Sequence, residues 1–439
     1  METLMNTPSL AKVLILFGAI LTLYKLKLPL WAAIFLASAL TGLWFGAGAA
    51  GTAKNMLLSA ASADTLCLCL IVVGLLGLSH LLNDTGSLSR LVEGLTAALG
   101  GTARSAAALP ALIGLLPMPG GAVFSAPLVR AACQGDAQSP EQKSAVNYWF
   151  RHIWEYWWPL YPGIILATIL FSISAWKVML IHLPLTAAAV TFGWIFIMRP
   201  AFKQKPGANA GACEQPQGPA RRDAMRAAVR ESAPIIIMIA TTYTLGPALS
   251  AAGVNGSAVK YIPVITGAAA AIAWLAVARR AGVRRVAAAL FGRAQVPMIL
   301  LVAAIMVFQG TLIRAGAFEN IQTDLATYRL PAIVIIAALP FISALVMGLA
   351  VGFVGASFPI VISLLPAGVM DSTDRFAYFT FAYVMGYAGM MLSPVHLCLI
   401  VTKDFFKADF FKIYKQIAVP CAATLLFGLA LSALYKYIF

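Results

Sequence analysis

Apolar residues in this chain gather in runs about 20 residues long, with neither the alternation of a half-buried strand nor the period of a soluble amphipathic helix. The runs fall at 10–24, 28–47, 64–83, 143–172 and 175–198, and again at 231–251, 259–279, 295–315, 375–402 and 411–437. A hydrocarbon core of ~30 Å is crossed by about 20 apolar residues of helix, so the pattern predicts an all-α polytopic membrane protein. Between the third and fourth run of each set lies a further apolar segment, 104–132 and 331–366, interrupted in its middle. Such segments can enter and leave a membrane on one side, and both are predicted to be re-entrant hairpins.

The stretch 199–230, rich in Pro, Gly, Ala and basic residues, is the longest polar interval and reads as a cytoplasmic linker between halves 1–198 and 231–439. The halves resemble each other. Gly86 aligns with Gly316 and Pro110 with Pro340, both 230 positions apart. GGAVFSAPLV (120–129) lies over GFVGASFPIV (352–361), and Leu160-Tyr161-Pro162 over Leu392-Ser393-Pro394, both 232 positions apart. Five crossings per half is an odd number, so the second copy is inverted relative to the first. Inverted-topology repeats with interrupted helices are the architecture of secondary transporters, whose sites lie near the midplane between the repeats.

Charge gives the sidedness. With the linker in the cytoplasm, Lys25, Lys27, Arg90, Arg104, Arg130, Lys143, Arg279, Arg280, Arg284, Arg285 and Lys403 share its side, and both termini lie outside. That bias accounts for the net charge of +15 without a nucleic-acid partner, and 61% hydrophobic residues leave no room for a sizeable soluble domain. The first run is followed by no small-residue cleavage site and reads as a retained helix. RRAGVRRVAAALFGR, 279–293, is predicted to be an interfacial helix. The cysteines, Cys67, Cys69, Cys133, Cys213, Cys398 and Cys421, show no C-x-x-C and no spacing to histidine that suggests a metal site, and read as packed thiols.

Candidate chemistry concentrates at the interruptions. In LLPMPGGAVFSAP (115–127), Pro117 and Pro119 end a rising helical arm, and Gly120 and Gly121 permit the turn. Bare carbonyls there favour a cation, and bare N–H groups at the next helix start favour an anion. The second tip, GLAVGFVGAS (348–357), uses Gly352 and Gly355 in place of proline, and Ser125 and Ser357 add hydroxyl ligands. NYWFRHIWEYWWPLYPG (147–163) carries Arg151, His152 and Glu155 before Pro159 and Pro162, with Arg151 and Glu155 about 12–18 Å deep at helical rise. Their i,i+4 spacing places them on one helix face. Two readings stand: a self-neutralising structural pair, or a site in which Arg151 meets an anionic substrate and Glu155 or His152 takes a proton. The surrounding Trp and Tyr residues read first as scaffold. The partner span, FAYVMGYAGMMLSPVHLC (381–398), offers Gly389 and Ser393 and no matching charge. The substrate site is therefore assigned to Pro119, Gly120, Gly121, Ser125, Arg151, Glu155, Gly355, Ser357 and Ser393. The coupling-ion site is assigned to Gly120, Ser125, His152, Pro159, Gly352, Ser357, Gly389 and Ser393.

LPMPGGAVFSAPLV, NYWFRHIWEYWWPLYPG and MGYAGMMLSPVHLCLIVT resemble an uncharacterised family of prokaryotic integral membrane proteins, domain of unknown function 401. The family is grouped with the ion transporter superfamily, beside gluconate permeases and sodium-coupled carboxylate carriers. The resemblance implies a homodimer in the inner membrane, an elevator-type motion and Na+ beside the hairpin tips. Where some of those carriers have Ser-Asn-Thr at the tips, this chain has Pro-Gly-Gly and Val-Gly-Ala-Ser. The expectation is a secondary transporter of a small organic anion driven by Na+ or H+, with no cofactor beyond Na+ and no enzymatic activity. The alternatives are a gated channel, or a proton-coupled exporter of a cationic or amphipathic compound that uses Glu155.

Overall fold

The structure, a computed structural model, describes residues 7–99, 103–115, 121–133, 138–202, 219–254, 256–329 and 331–438. Among them every regular element is a helix. The first half runs α1 (Ser9–Lys25), α2 (Leu30–Trp44), α3 (Gly48–Ala60), α4 (Ala63–Asp84), α5 (Ser87–Leu99), α6 (Ala103–Ile113), α7 (Ala122–Ala132), α8 (Pro140–His152), α9 (Pro162–Leu170) and α10 (Ala175–Gly193). The second runs α11 (Pro219–Ala251), α12 (Ser257–Ala278), α13 (Val283–Phe291), α14 (Val296–Arg314), α15 (Ala317–Tyr328), α16 (Ala332–Met347), α17 (Ala350–Ser363), α18 (Asp374–Met391), α19 (Leu397–Phe406) and α20 (Phe410–Ile438).

Among the described residues, six helical stretches are long and apolar enough to cross a membrane: Ala63–Asp84, Ala175–Ala201, Arg222–Ala251, Ala258–Ala278, Val296–Arg314 and Phe410–Tyr437. Leu66, Leu70, Ile236 and Leu426 on these helices are each more than half exposed, an apolar surface suited to lipid. This is a multi-pass membrane protein.

Three features depart from the sequence expectations. α3 forms in GAAGTAKNMLLSA, which has no long apolar run. Its small residues permit close approach, and Gly310 of α14 has room for nothing larger beside Ser59, whose Oγ would lie 2.2 Å from an added Cβ. The polar interval 199–230 is partly helical: α10 continues through a π turn at Trp194–Met198 to Ala201, and α11 starts at Pro219. The rest of that interval, 203–218 with Cys213, lies outside the described residues. Within 279–293, only Val283–Phe291 is an α-helix, amphipathic as expected, with Arg284 and Arg285 exposed and Ala289 buried. It packs on α4, where Leu290 fills the space beside Gly77.

Side-chain contacts tie one end of the bundle together. Glu231 of α11 accepts from Arg90 at 3.3 Å and also from Arg279, and Arg279 Nε donates to Ser87 Oγ at 3.0 Å. Arg285 of α13 pairs with Asp84 at the end of α4.

The hairpins are α6–α7 and α16–α17. The first arm of each packs on the first helix of the broken span in its own half, α6 on α8 and α16 on α18. The second arm packs on the helix that follows the break in the other half, α7 on α19 and α17 on α9. The two halves therefore interlock through their interrupted elements.

Candidate functional site

Proline marks the first break. Pro159 has no N–H, and its ring crowds the carbonyl four residues earlier, that of Glu155. The helix nonetheless ends sooner than the prolines predict: α8 stops at His152, residues 153–161 form turns, and α9 opens at Pro162. The carbonyls released by the break are taken by side chains. His152 O accepts from Tyr387 Oη at 2.8 Å and Ile153 O from Thr186 Oγ1 at 2.7 Å. Glu155 O accepts from Tyr383 Oη at 2.6 Å and Tyr156 O from His182 Nδ1 at 2.7 Å. Two of these donors sit on α10 and two on α18 of the other half.

The second break is served likewise. Met390 O accepts from His396 Nδ1 at 3.2 Å, Met391 O from Tyr148 Oη at 3.1 Å and Leu392 O from Tyr414 Oη at 3.0 Å.

In the rising arm of the first hairpin, the described carbonyls before the tip also meet side-chain donors: Ala111 O accepts from Trp154 Nε1 at 2.7 Å, Gly114 O from Tyr161 Oη at 2.5 Å and Leu115 O from Trp158 Nε1 at 2.8 Å. Tryptophan and tyrosine suit this place because each adds one polar donor to a large apolar body. The tip itself, with Pro117, Pro119 and Gly120, lies outside the described residues. In the second hairpin the turn is confined to Gly348 and Leu349. Gly348 has φ +64°, and a Cβ there would meet the His396 backbone at 2.9 Å. Ser393, aligned with Tyr161, makes the corresponding bond, donating to Leu345 O at 2.7 Å.

The residues preceding α7, α9, α17 and α19 are Gly121, Tyr161, Leu349 and His396, and none caps its helix with a side chain. α8 differs, since Ser139 and Gln142 close a capping box. Uncapped helix starts present N–H groups and a positive dipole end.

Arg151 is 3% exposed, and its guanidinium lies over Gly121 at the start of α7: a Cβ on Gly121 would come within 2.2 Å of Nη2. Gly114 is tight against the same residue, since a Cβ there would fall 2.0 Å from the Arg151 carbonyl oxygen. The shared helix face expected for Arg151 and Glu155 is not formed, because α8 ends between them. Glu155 Oε1 instead lies 3.8 Å from His152 Nε2, with both residues buried.

The remaining predicted site residues divide. Ser125 is fully buried on α7, and its Oγ has no hydrogen-bond partner among the described residues. Ser357 donates back to Phe353 O at 2.7 Å within α17. Gly352, Gly355 and Gly389 are positions of close packing: an added Cβ would lie 3.0 Å from Met347 Sδ, 2.4 Å from Ile305 Cδ1 and 2.3 Å from Phe341 O respectively.

Sequence reasoning missed Tyr383, Tyr387 and, above all, Cys398. Cys133 and Cys421 are the buried free thiols expected. Cys398 joins His152 and His396, the three offering donor atoms within 4.8 Å of one another.

The chain matches the family described as Protein of unknown function (DUF401) over residues 9–206 and 256–434. It belongs to the DUF401 family. No curated protein matches it. The matched segments of this DUF401 chain include both hairpins and both breaks, and the interval between them takes in the whole of α11.

Proposed function

We propose that this DUF401 protein is a secondary transporter of the prokaryotic cytoplasmic membrane that carries a small organic anion, carboxylate-like in charge, coupled to protons. The observation that carries the reading is the Arg151 guanidinium set over Gly121 at the uncapped start of α7. A fixed cation and a helix N-terminus converge there, and each favours an anion. The buried His152–Glu155 contact is the proton-accepting element in this reading. Protons are preferred over Na+ because the carbonyls closing the first rising arm already accept from Trp154, Trp158 and Tyr161. The interlocked hairpins and the 232-residue offset support two inverted repeats of five spans and one hairpin, moving by an elevator mechanism in a homodimer.

Purified protein in proteoliposomes tests this. Saturable uptake of small carboxylates should follow an imposed pH gradient and fall to background with Arg151→Ala. Unitary currents in single-channel recording, or full uptake by the Arg151→Ala variant, would overturn the carrier or the anion assignment.

A further inference from the structure

We infer that the two helix breaks together form a binding site for a transition-metal cation of the Zn2+ class, with His152, His396 and Cys398 as ligands and Glu155 completing the set. Residues 152 and 398 are 246 positions apart, so no local motif announces the site. One donor atom from each of the three lies within 4.8 Å of the others, and all three residues are buried.

The imidazoles are oriented for the task. His152 Nδ1 faces Tyr148 O at 2.6 Å and His396 Nδ1 faces Met390 O at 3.2 Å. A carbonyl only accepts, so each ring carries its proton on Nδ1 and leaves Nε2 with a bare lone pair. Ligating histidines are held in this way by a carbonyl or carboxylate behind the ring. The rings lie edge to face at 4.7 Å, and Tyr148 packs against both at 4.8 and 5.2 Å, closing one side. The Glu155 carboxylate, 3.8 Å from His152 Nε2 but outside that group of three, would have to move in to complete the set.

Two imidazoles, a thiolate and a carboxylate suit a borderline-soft tetrahedral ion better than Na+, Mg2+ or Ca2+. Coordination releases the Cys398 thiol proton, and thiolate plus carboxylate then balance a divalent charge in a buried place. Bonds of about 2.0–2.3 Å would draw the donors closer than they now stand. Since His152 ends α8 and His396 and Cys398 flank the start of α19, the ion would fasten the break of one half to that of the other. A bound ion would occupy the His152–Glu155 contact that the transport reading gives to protons and so replaces the proton assignment there, while the anion site at Arg151 is untouched; the test reads metal rather than uptake.

Full-length protein in detergent, stripped with chelator and titrated with Co2+, supplies the readout. The expected result is one Co2+ per chain, a thiolate-to-cobalt charge-transfer band and the intense visible bands of tetrahedral Co2+, all displaced by Zn2+. Cys398→Ser, nearly isosteric, should lose the charge-transfer band, and His396→Ala should weaken binding by at least about 10-fold. Cys421→Ser, at a buried thiol that is not one of the three clustered donors, should change neither. Absence of the band in the folded wild-type protein, or its persistence in Cys398→Ser, would overturn the assignment.

Discussion

Tyr383, on α18 in the second half, donates its hydroxyl to the main-chain carbonyl of Glu155 at 2.6 Å, inside the break of the first half. An unturned backbone in a membrane protein is stable only where its polar groups find partners. Here the partner comes from 228 positions away, and Tyr387 repeats the arrangement at His152 O. The break is thus stabilised by the opposite half rather than by its own sequence.

Removing that hydroxyl leaves a buried carbonyl without its donor and keeps the ring's packing. Tyr383→Phe should destabilise the protein by about 1–3 kcal/mol. Tyr437→Phe, at a side chain 87% exposed, should change little. Thermal unfolding in detergent compares the two, and equal midpoints would show that the carbonyl finds another partner.

Gly114 and Gly121 both face Arg151, but they meet different parts of it. A methyl group on Gly114 presses on a backbone oxygen, which cannot move aside, whereas one on Gly121 presses on the end of a long side chain. Gly114→Ala should therefore cost about 1–3 kcal/mol of stability. Gly121→Ala should leave stability closer to wild type and weaken anion binding, because the guanidinium is displaced from the start of α7. Anion-dependent thermal shifts separate the effects.

Among the described residues, six of the ten expected runs are helices long and apolar enough to cross a membrane, legible because lipid imposes a length on apolar runs, and Pro and Gly mark where the broken spans stop. Pro162 opens α9 as its missing N–H predicts, and Gly348 turns the second hairpin at positive φ. The early end of α8 was not legible: Pro159 and Pro162 locate a break, but its extent depends on Tyr383, Tyr387, Thr186 and His182, donors supplied by tertiary packing. For the same reason Arg151 and Glu155, read as neighbours on one helix, are separated by the end of α8. Cys398 gave no signal, since a cysteine two positions after a histidine has no metal-binding spacing until His152 arrives from the other half. Gly352, Gly355 and Gly389 show the opposite ambiguity, because glycine marks close helix packing as readily as a ligand tip.

The ionic contacts at one end of the bundle should differ in weight. Asp84 and Arg285 are both well exposed, with side chains 40% and 49% accessible, and Asp84→Asn should cost no more than about 1 kcal/mol and less at high salt. Glu231 is 7% accessible and accepts from both Arg90 and Arg279. Glu231→Gln should cost more, about 1.5–3 kcal/mol, because it weakens charge-assisted bonds in a drier place. Denaturation at two ionic strengths checks both the order and the salt dependence.

Tyr161 and Ser393 occupy aligned positions, each just before a proline, and each donates its hydroxyl to the last turn of a hairpin's rising arm, at Gly114 O and Leu345 O. If the halves are related copies, these two bonds hold the two hairpins against their breaks in the same way. Tyr161→Phe should raise amide hydrogen exchange in α6 and at the start of α7 while leaving α16 and α17 near wild type. Ser393→Ala should do the reverse, raising exchange in α16 and around Gly348. Trp154 and Trp158 still bind Ala111 O and Leu115 O in the first variant, so its increase should be the smaller of the two. Exchange measured by mass spectrometry on the full-length protein resolves the hairpins separately, and a rise in both hairpins from either variant would mean that they open as one unit.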